Sequence, residues 1–497
     1  MTEELEFDFR EKPREAQVIG VKALVGNPFF GLFDEMGVGK TKQTIDATQV
    51  LFRIGAIKKV MVVCPASVRS VWFDPEFGEL QKHLWNSVPN KIMEYHNGYR
   101  KWSHGNNDHF EKPLLWVITN YDFIRRENRL EPLLSFCDKE TFLVIDESSA
   151  VKNWKANQTR ACMKLREKCG RVVLLNGTPI ANSPGDMYSQ GQLMSKSILQ
   201  CGNWYKFRAR YGVMGGFKGK QIKGWDNIED LQRRFQPYVL RRLKSECWDL
   251  PPKIPEVTLT VSMNEATWAI YTEMKNDMLA WLSEQKVSMA PQAIVRIMRL
   301  AQITSGFLGG LESDEGEPLD TEEIGNEKAK FFMKWLEDHL DENPGVKILV
   351  WCRFRAELKR LEKMLLSFGK VAIGTITGSQ KKVERNNALR LLDPRTTPNE
   401  PVVVVGNPKA GAIGLNLAAA NVAFYMSNDY SLMTRQQSED RIHRPGQTKP
   451  VSYFDLIATG PNGEKTVDHL IIRSLRRKEN LANMTVQAWM ENLEEED

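Results

Sequence analysis

Short, continuous, β-branched apolar runs recur in two groups along this chain, and they limit its fold more than any other feature. The first group is 60–64, 114–119, 142–145 and 172–175, and the second is 347–352, 371–377, 402–405 and 421–426. Longer helical patterns separate the runs. Continuous apolar strands alternating with helices require parallel sheets covered on both faces. Two groups therefore mean two α/β lobes, and 497 residues are ample for two large cores. No fixed-period repeat is visible. Leu250-Pro251-Pro252-Lys253 reads as a hinge, because two prolines break any helix there. The expected division is 1–250, with a helical protrusion at about 184–240, and 251–497, with a helical insertion at about 255–340 and a C-terminal brace helix at about 465–492. The acidic stretch 312–327 reads as a solvated loop.

Charge and composition exclude several classes. The 68 basic and 63 acidic residues give a formal net charge of +5, which excludes a polycation and leaves room for a basic groove. The start of the chain, MTEELEFDFREK, is acidic and lacks the apolar stretch of a signal peptide. No uninterrupted apolar run approaches the ~18 residues of a membrane span. Seven dispersed cysteines without a CxxC point to reduced thiols, and no histidine clusters with them into a zinc site.

Two local motifs carry chemistry. Gly31 to Thr41 reads GLFDEMGVGKT, ends an apolar strand and opens a helix. Such a turn closes backbone N–H groups, here around Gly37 and Gly39, about phosphates at a helix N-terminus. Lys40 is placed to reach the β- and γ-phosphates of a nucleoside triphosphate and Thr41 to hold Mg²⁺. Asp34 stands where GxxxxGK[ST] has its first glycine. Farther on, Phe142-Leu143-Val144-Ile145-Asp146-Glu147 is an apolar strand ending in two carboxylates. In a parallel sheet that end faces the ligand crevice. Asp146 is placed to hold Mg²⁺ and Glu147 to polarise an attacking water. Together the motifs read as a nucleoside triphosphatase.

The segments DEMGVGKT, VCPASVRSVW, ITNYD, DESSAVKN and LLNGTPIANS resemble the consecutive first-lobe motifs of superfamily 2 helicase-like ATPases. KAGAIGLNLAAA and QSEDRIHRPGQ resemble the last motifs of the second lobe. Together with YVLRRLKSECWDLPPK, they are most similar to the Swi/Snf family of DNA translocases. The resemblance runs from Gln17 to about Met484. It implies an α/β fold of two RecA-like lobes with parallel sheets, plus helical insertions around the interlobe hinge. It implies that Gln17 reads the adenine edge and that Gly414 belongs to the nucleotide-binding set. It also implies that Gly177-Thr178-Pro179 links the triphosphate site to DNA. Arg441 and Arg444 would approach the γ-phosphate from the second lobe, Arg444 as the finger, with a packing or hydrogen-bonding role for His443 between them. Arg241 and Arg242 are either an interlobe brace or ordinary surface ion pairs.

For DNA the resemblance implies phosphate contacts at Ser67, Arg69, Thr119, Asn120 and Lys409, giving affinity without base reading. Lys409 or a backbone amide would replace the hydroxyl that Asn407-Pro408-Lys409 lacks. The segment Trp204 to Tyr211, with Lys218, Lys220 and Lys223, interleaves aromatic and basic residues. Trp204, Phe207 and Tyr211 recur at helical spacing, so their first reading is packing within the protrusion. The expected activity is a DNA-dependent ATPase that translocates on duplex or forked DNA with ATP and Mg²⁺, remodelling protein–DNA complexes or forks. A strand-separating or annealing helicase and an idle DNA-bound scaffold are the alternatives. The expectation includes a monomer, no membrane, room for an unidentified recruiting protein, and a cytoplasmic setting, or a nuclear one in a eukaryote.

Overall fold

The computed structural model describes residues 9–66, 68–74, 78–96, 99–103, 112–177, 184–215, 221–284, 290–309, 321–378, 380–393, 396–411 and 417–477. Among these the chain divides into two compact units, one up to Asp249 and one from Leu250 onward. No helix of the described residues is long and apolar enough to cross a membrane.

The first unit is built on β1 (Phe29–Leu32), β2 (Lys59–Cys64), β3 (Asn90–His96), β4 (Tyr99–Ser103), β5 (Leu114–Asn120), β6 (Thr141–Ile145) and β7 (Arg171–Leu175). A small hairpin, β8 (Gly212–Gly215) with β9 (Gln221–Trp225), stands apart, and β10 (Val239–Leu240) returns to the sheet. The eight-stranded order is β10-β1-β7-β6-β2-β5-β3-β4. Every pairing in it is parallel except β3 with β4 at the edge. The continuous apolar runs are explained by burial on both faces. Along β2, Met61 and Val63 enter one core while Val60, Val62 and Cys64 enter the other. Because neighbouring strands run parallel, the segments that follow β1, β2, β5, β6 and β7 all leave from the same edge of the sheet.

The second unit contains β11 (Val257–Ser262), β12 (Phe307–Gly309), β13 (Thr321–Glu323), β14 (Lys347–Trp351), β15 (Ala372–Ile376), β16 (Val402–Gly406), β17 (Val422–Tyr425) and β18 (Ser452–Thr459). Its six-stranded sheet has the order β11-β18-β17-β14-β16-β15, parallel throughout. Ile348 and Val350 face one core, Leu349 and Trp351 the other. The fold is therefore α/β with two RecA-like lobes.

The structure differs from the sequence reading in three places. The stretch expected as a helical insertion opens with β11, whose pairing to β18 makes it part of the second sheet. The acidic stretch contributes β13, antiparallel to β12, while 310–320 lie outside the described residues. Of the C-terminal brace, a helix is described over 467–477, and 478–497 lie outside the described residues.

Candidate functional site

The loop after β1 is shaped by two glycines with left-handed backbone, Gly37 at φ 88° and Gly39 at φ 93°. A side chain at Gly39 would meet the Gln17 amide, its Cβ lying 2.4 Å from Nε2. The helix Lys40–Arg53 starts immediately after and is buried along most of its length, from Lys42 to Leu51. Its polar positions are matched: Lys42 pairs with Asp46 at 2.6 Å, and Trp85 Nε1 donates to the same carboxylate at 3.0 Å. The loop is thus mounted on a rigid central helix. Lys40 Nζ lies back across the loop, donating to the carbonyls of Asp34 at 2.7 Å and Glu35 at 3.2 Å. Gln17 is buried against the loop and donates to the Val38 carbonyl at 3.4 Å.

Asp34 is fully buried, and Arg242, from the segment after β10, pairs with it in a bidentate fashion through Nε and Nη2. Arg242 also donates to Gln43 Oε1 at 3.0 Å, and Gln43 reaches Asp34 Oδ2 at 3.3 Å. Arg241 donates to the carbonyls of Phe33 at 3.0 Å and Gly177 at 3.1 Å. This corrects the reading of the arginine pair as ordinary surface ion pairs. The two arginines tie β10 to the phosphate loop and to the end of β7 inside the first unit. Burial pushes the Arg241 guanidinium below its ordinary value, against the pull of Glu35 and Asp34.

Between β1 and β6 lies only β7, so the loop and the strand-end carboxylates share one edge of the sheet. Asp146 follows β6 and is buried. Trp72 Nε1 donates to Asp146 Oδ2 at 2.8 Å, the Glu147 amide donates to Oδ1 at 2.9 Å, and the Tyr121 hydroxyl donates to the Asp146 carbonyl at 2.6 Å. Burial raises the Asp146 carboxyl above its ordinary value, and the Trp72 hydrogen bond and the Lys40 charge pull it down only in part. Glu147 has φ 50°, a left-handed conformation that costs a non-glycine residue about 1–3 kcal/mol and is concentrated at working sites. Trp72 and Tyr121 were not singled out from sequence, although both lie in the quoted motifs; nothing local marks them as partners of Asp146.

The proposed DNA contacts fare unevenly. Arg69 pairs with Glu94. Thr119 is fully buried inside β5, its hydroxyl without a hydrogen-bond partner among the described residues, and Asn120 is buried with its side chain accepting from the Phe123 amide at 2.9 Å. These two serve the interior. Ser67, Thr178 and Pro179 lie outside the described residues, as do Gly414, Lys218 and Lys220. The aromatic residues of the protrusion pack as their spacing required: Phe207 and Tyr211 are fully buried and Trp204 stacks on Phe207.

In the second unit, Asn407 follows β16 and ties it to the segment after β14 by donating to the Arg353 carbonyl at 2.7 Å. Its Oδ1 accepts the Lys409 amide at 3.0 Å. Lys409 is exposed and pairs with Asp429 at 3.1 Å. Burial works against the Asp429 charge, but Lys409 and Arg353 outweigh it and hold the carboxyl below its ordinary value. Arg441 and Arg444 sit in the turn after the helix Leu432–Glu439. The turn is built from its backbone: the Leu417 amide donates to the Arg441 carbonyl at 3.1 Å and the Gln447 amide to the Arg444 carbonyl at 3.0 Å. Arg441 is buried and Arg444 half-buried. His443 Nε2 lies 2.9 Å from the Pro251 carbonyl. Arg435 anchors the preceding helix, bonding Glu439 at 2.6 Å and Asp455 while lying 3.7 Å over the Tyr425 ring.

The SNF2-related domain matches residues 31–305 and the helicase conserved C-terminal domain matches residues 329–446. The chain is 25% identical over 480 residues to a Mycoplasma genitalium protein named an uncharacterized ATP-dependent helicase, covering 95% of this chain and 42% of that one. It is 26% identical over 465 residues to a Drosophila melanogaster SWI/SNF-related, matrix-associated, actin-dependent regulator of chromatin, subfamily A-like protein 1, covering 93% of this chain and 54% of that one. The chain thus spans about half the length of these curated relatives. A solved Sulfolobus solfataricus SWI2/SNF2 ATPase core in complex with dsDNA covers 98% of this chain and is itself 96% covered, at 23% identity and a TM-score of 0.43. With one family domain matched over more than half its length and the helicase C-terminal domain behind it, the chain belongs to the SNF2-related family.

Proposed function

We propose that the chain is an ATP-dependent DNA translocase, one that hydrolyses ATP in response to DNA and remodels protein–DNA complexes or forks. The observation that carries the reading is the shared sheet edge. A glycine-shaped loop and its lysine, and a strand-end carboxylate pair, leave the same edge of one sheet with one strand between them. That arrangement suits a triphosphate lying along the loop, and family membership makes ATP hydrolysis the expected chemistry.

In this reading the loop amides cradle the phosphates and Lys40 swings from the carbonyls of Asp34 and Glu35 to the β- and γ-oxygens. Gln17, already against the loop, turns its amide to the adenine. The donor set fits a hard cation: Thr41 opens the helix with a hydroxyl, and Asp146 offers a carboxylate fixed in orientation by Trp72. Mg²⁺ bound there would neutralise charge on the phosphates. Glu147 orients the attacking water and takes its proton. Arg441 and Arg444 from the second unit complete the site, the guanidinium of Arg444 meeting the developing γ-phosphate charge. Arg69 and the exposed Lys409 remain as DNA phosphate contacts in this reading.

The test is ATP turnover by the wild-type chain and by Lys40→Ala, with no DNA, single-stranded, duplex and forked DNA, beside displacement of a triplex-forming strand from duplex DNA. Duplex-stimulated turnover and triplex displacement, both lost in Lys40→Ala with circular dichroism unchanged, are expected. Turnover indifferent to Lys40 would end the proposal.

A further inference from the structure

One of the basic stretches of this chain lies in the protrusion. Residues 201–235 hold 8 of the 68 basic residues and 3 of the 63 acidic ones, so the other 462 residues balance at 60 and 60. These 35 residues thus carry a local formal excess of +5. In the structure the described residues among them include the helix Trp204–Tyr211, the paired strands β8 and β9 and the helix Ile228–Phe235; Lys218 and Lys220 lie outside the described residues.

The packing pushes that charge outward. Asp230 is buried and collects Arg210 at 2.9 Å, Arg233 at 2.8 Å and Arg234 at 2.9 Å, with the Tyr211 hydroxyl at 2.7 Å. Three guanidiniums share one carboxylate, so two positive charges in the cluster go uncompensated. The Arg233 side chain is 77% exposed. On the outer side of the first helix Lys206 is exposed, and Arg208 lies 5.7 Å over the ring of Tyr205, itself exposed. Lys223 on β9 is exposed as well.

The same packing decides what kind of nucleic acid suits this face. A single-strand binder needs exposed rings on which bases stack. Phe207 and Tyr211 are fully buried and Trp204 is half-buried against Tyr188 and Phe207, which leaves Tyr205 as the exposed ring of that helix, at 62%. A face with surplus cations and almost no stacking platform fits phosphodiesters and not bases. Resting on the translocase reading, we propose that the outer face of this protrusion is an additional DNA-binding surface that takes the phosphate backbone of duplex DNA, apart from the motif residues at the sheet edges. It lengthens the footprint on the duplex without adding sequence preference.

The experiment compares the full chain with Lys206→Gln/Arg208→Gln and with Lys58→Gln/Lys164→Gln, which removes equal charge from exposed positions elsewhere on the same unit. Duplex affinity is measured against salt by fluorescence anisotropy, using a random-sequence duplex, with circular dichroism to check folding. The protrusion variant should bind roughly tenfold more weakly, and its slope of log affinity against log salt should shrink by about 2, near 0.9 per lost phosphate contact. The control pair should leave the slope unchanged. A wild-type slope in the protrusion variant overturns the proposal, and so does an equal loss in the control, which would reduce the effect to net charge. A wild-type chain that binds no DNA overturns the translocase reading together with this one.

Discussion

Asp34 occupies the position where a phosphate loop usually begins with a glycine, and its complete burial shows what the carboxylate does there. It is the partner of Arg242, 208 positions away, and the pair clamps the last strand of the sheet to the loop. Removing one member of a buried ion pair leaves an uncompensated charge and costs about 3–5 kcal/mol. Arg242→Ala is expected to lower stability by about 3 kcal/mol and to weaken ATP binding, read by thermal unfolding and nucleotide titration; an unchanged Tm would show that the pair is incidental. Glu147 poses the complementary case. Its left-handed backbone is a local cost that the fold sustains, while the neighbouring Asp146 carboxylate is held by two hydrogen bonds. If Glu147 handles the water, Glu147→Gln keeps ATP and Mg²⁺ binding while hydrolysis drops by at least about 10²-fold. Loss of nucleotide binding in that variant would move Glu147 into the metal shell.

Single elements show how neighbouring side chains set charge states. The short helix Glu79–His83 ends in a histidine that is 3.2 Å from Glu79 through Nε2 and 3.4 Å from Glu11 through Nδ1. Burial by itself would raise the Glu79 carboxyl; the His83 hydrogen bond and the Lys82 and His83 charges outweigh it and carry it from 4.5 down to about 2. A depressed carboxyl contributes stability above its unfolded value and loses it as pH falls toward the folded one. Glu79→Gln should therefore unfold less steeply than wild type between pH 4.5 and 2 and be less stable at neutral pH by at most about 3 kcal/mol. Parallel acid-denaturation curves for the two chains would contradict this. The strands β2, β5, β6, β7, β14, β15, β16 and β17 were legible because each is a continuous apolar run, whereas β3, β4, β11 and β18 are not such runs. β10 was not legible either, since two residues beside a proline carry no period, and its place in the sheet is set by pairing with Gly31 and Leu32.

The whole molecule places its nucleotide loop and its arginine turn in different units, with about 400 positions between Lys40 and Arg444. Under the proposed mechanism, cleft closure is what brings the second unit's guanidinium to the γ-phosphate, and DNA can gate hydrolysis through that step. Arg444→Ala is expected to bind ATP nearly as wild type and to lose roughly 10³-fold of its DNA-stimulated turnover, measured by steady-state ATPase assays with and without duplex. Full stimulation in that variant would remove Arg444 from catalysis.

Local chemistry is what the sequence determined by itself. The strand runs, the glycine turn ahead of Lys40, the strand-end Asp146-Glu147 pair and the order of the motifs all depend on residues adjacent in the chain, whose backbone preferences and burial pattern act over a few positions. Tertiary structure decided the partnerships. What the Asp34 carboxylate does in place of a glycine could be read only once Arg242 lay beside it. Trp72, 74 positions from Asp146, could be seen to orient that carboxylate only after β2 and β6 had paired. Thr119 and Asn120 read as surface contacts until the sheet closed over them, and the burial of Phe207 and Tyr211 left the basic side chains of their helix on its outer side. Hydrogen bonds and ion pairs between distant segments depend on distance in space, and a linear pattern carries that distance only when a known fold supplies it.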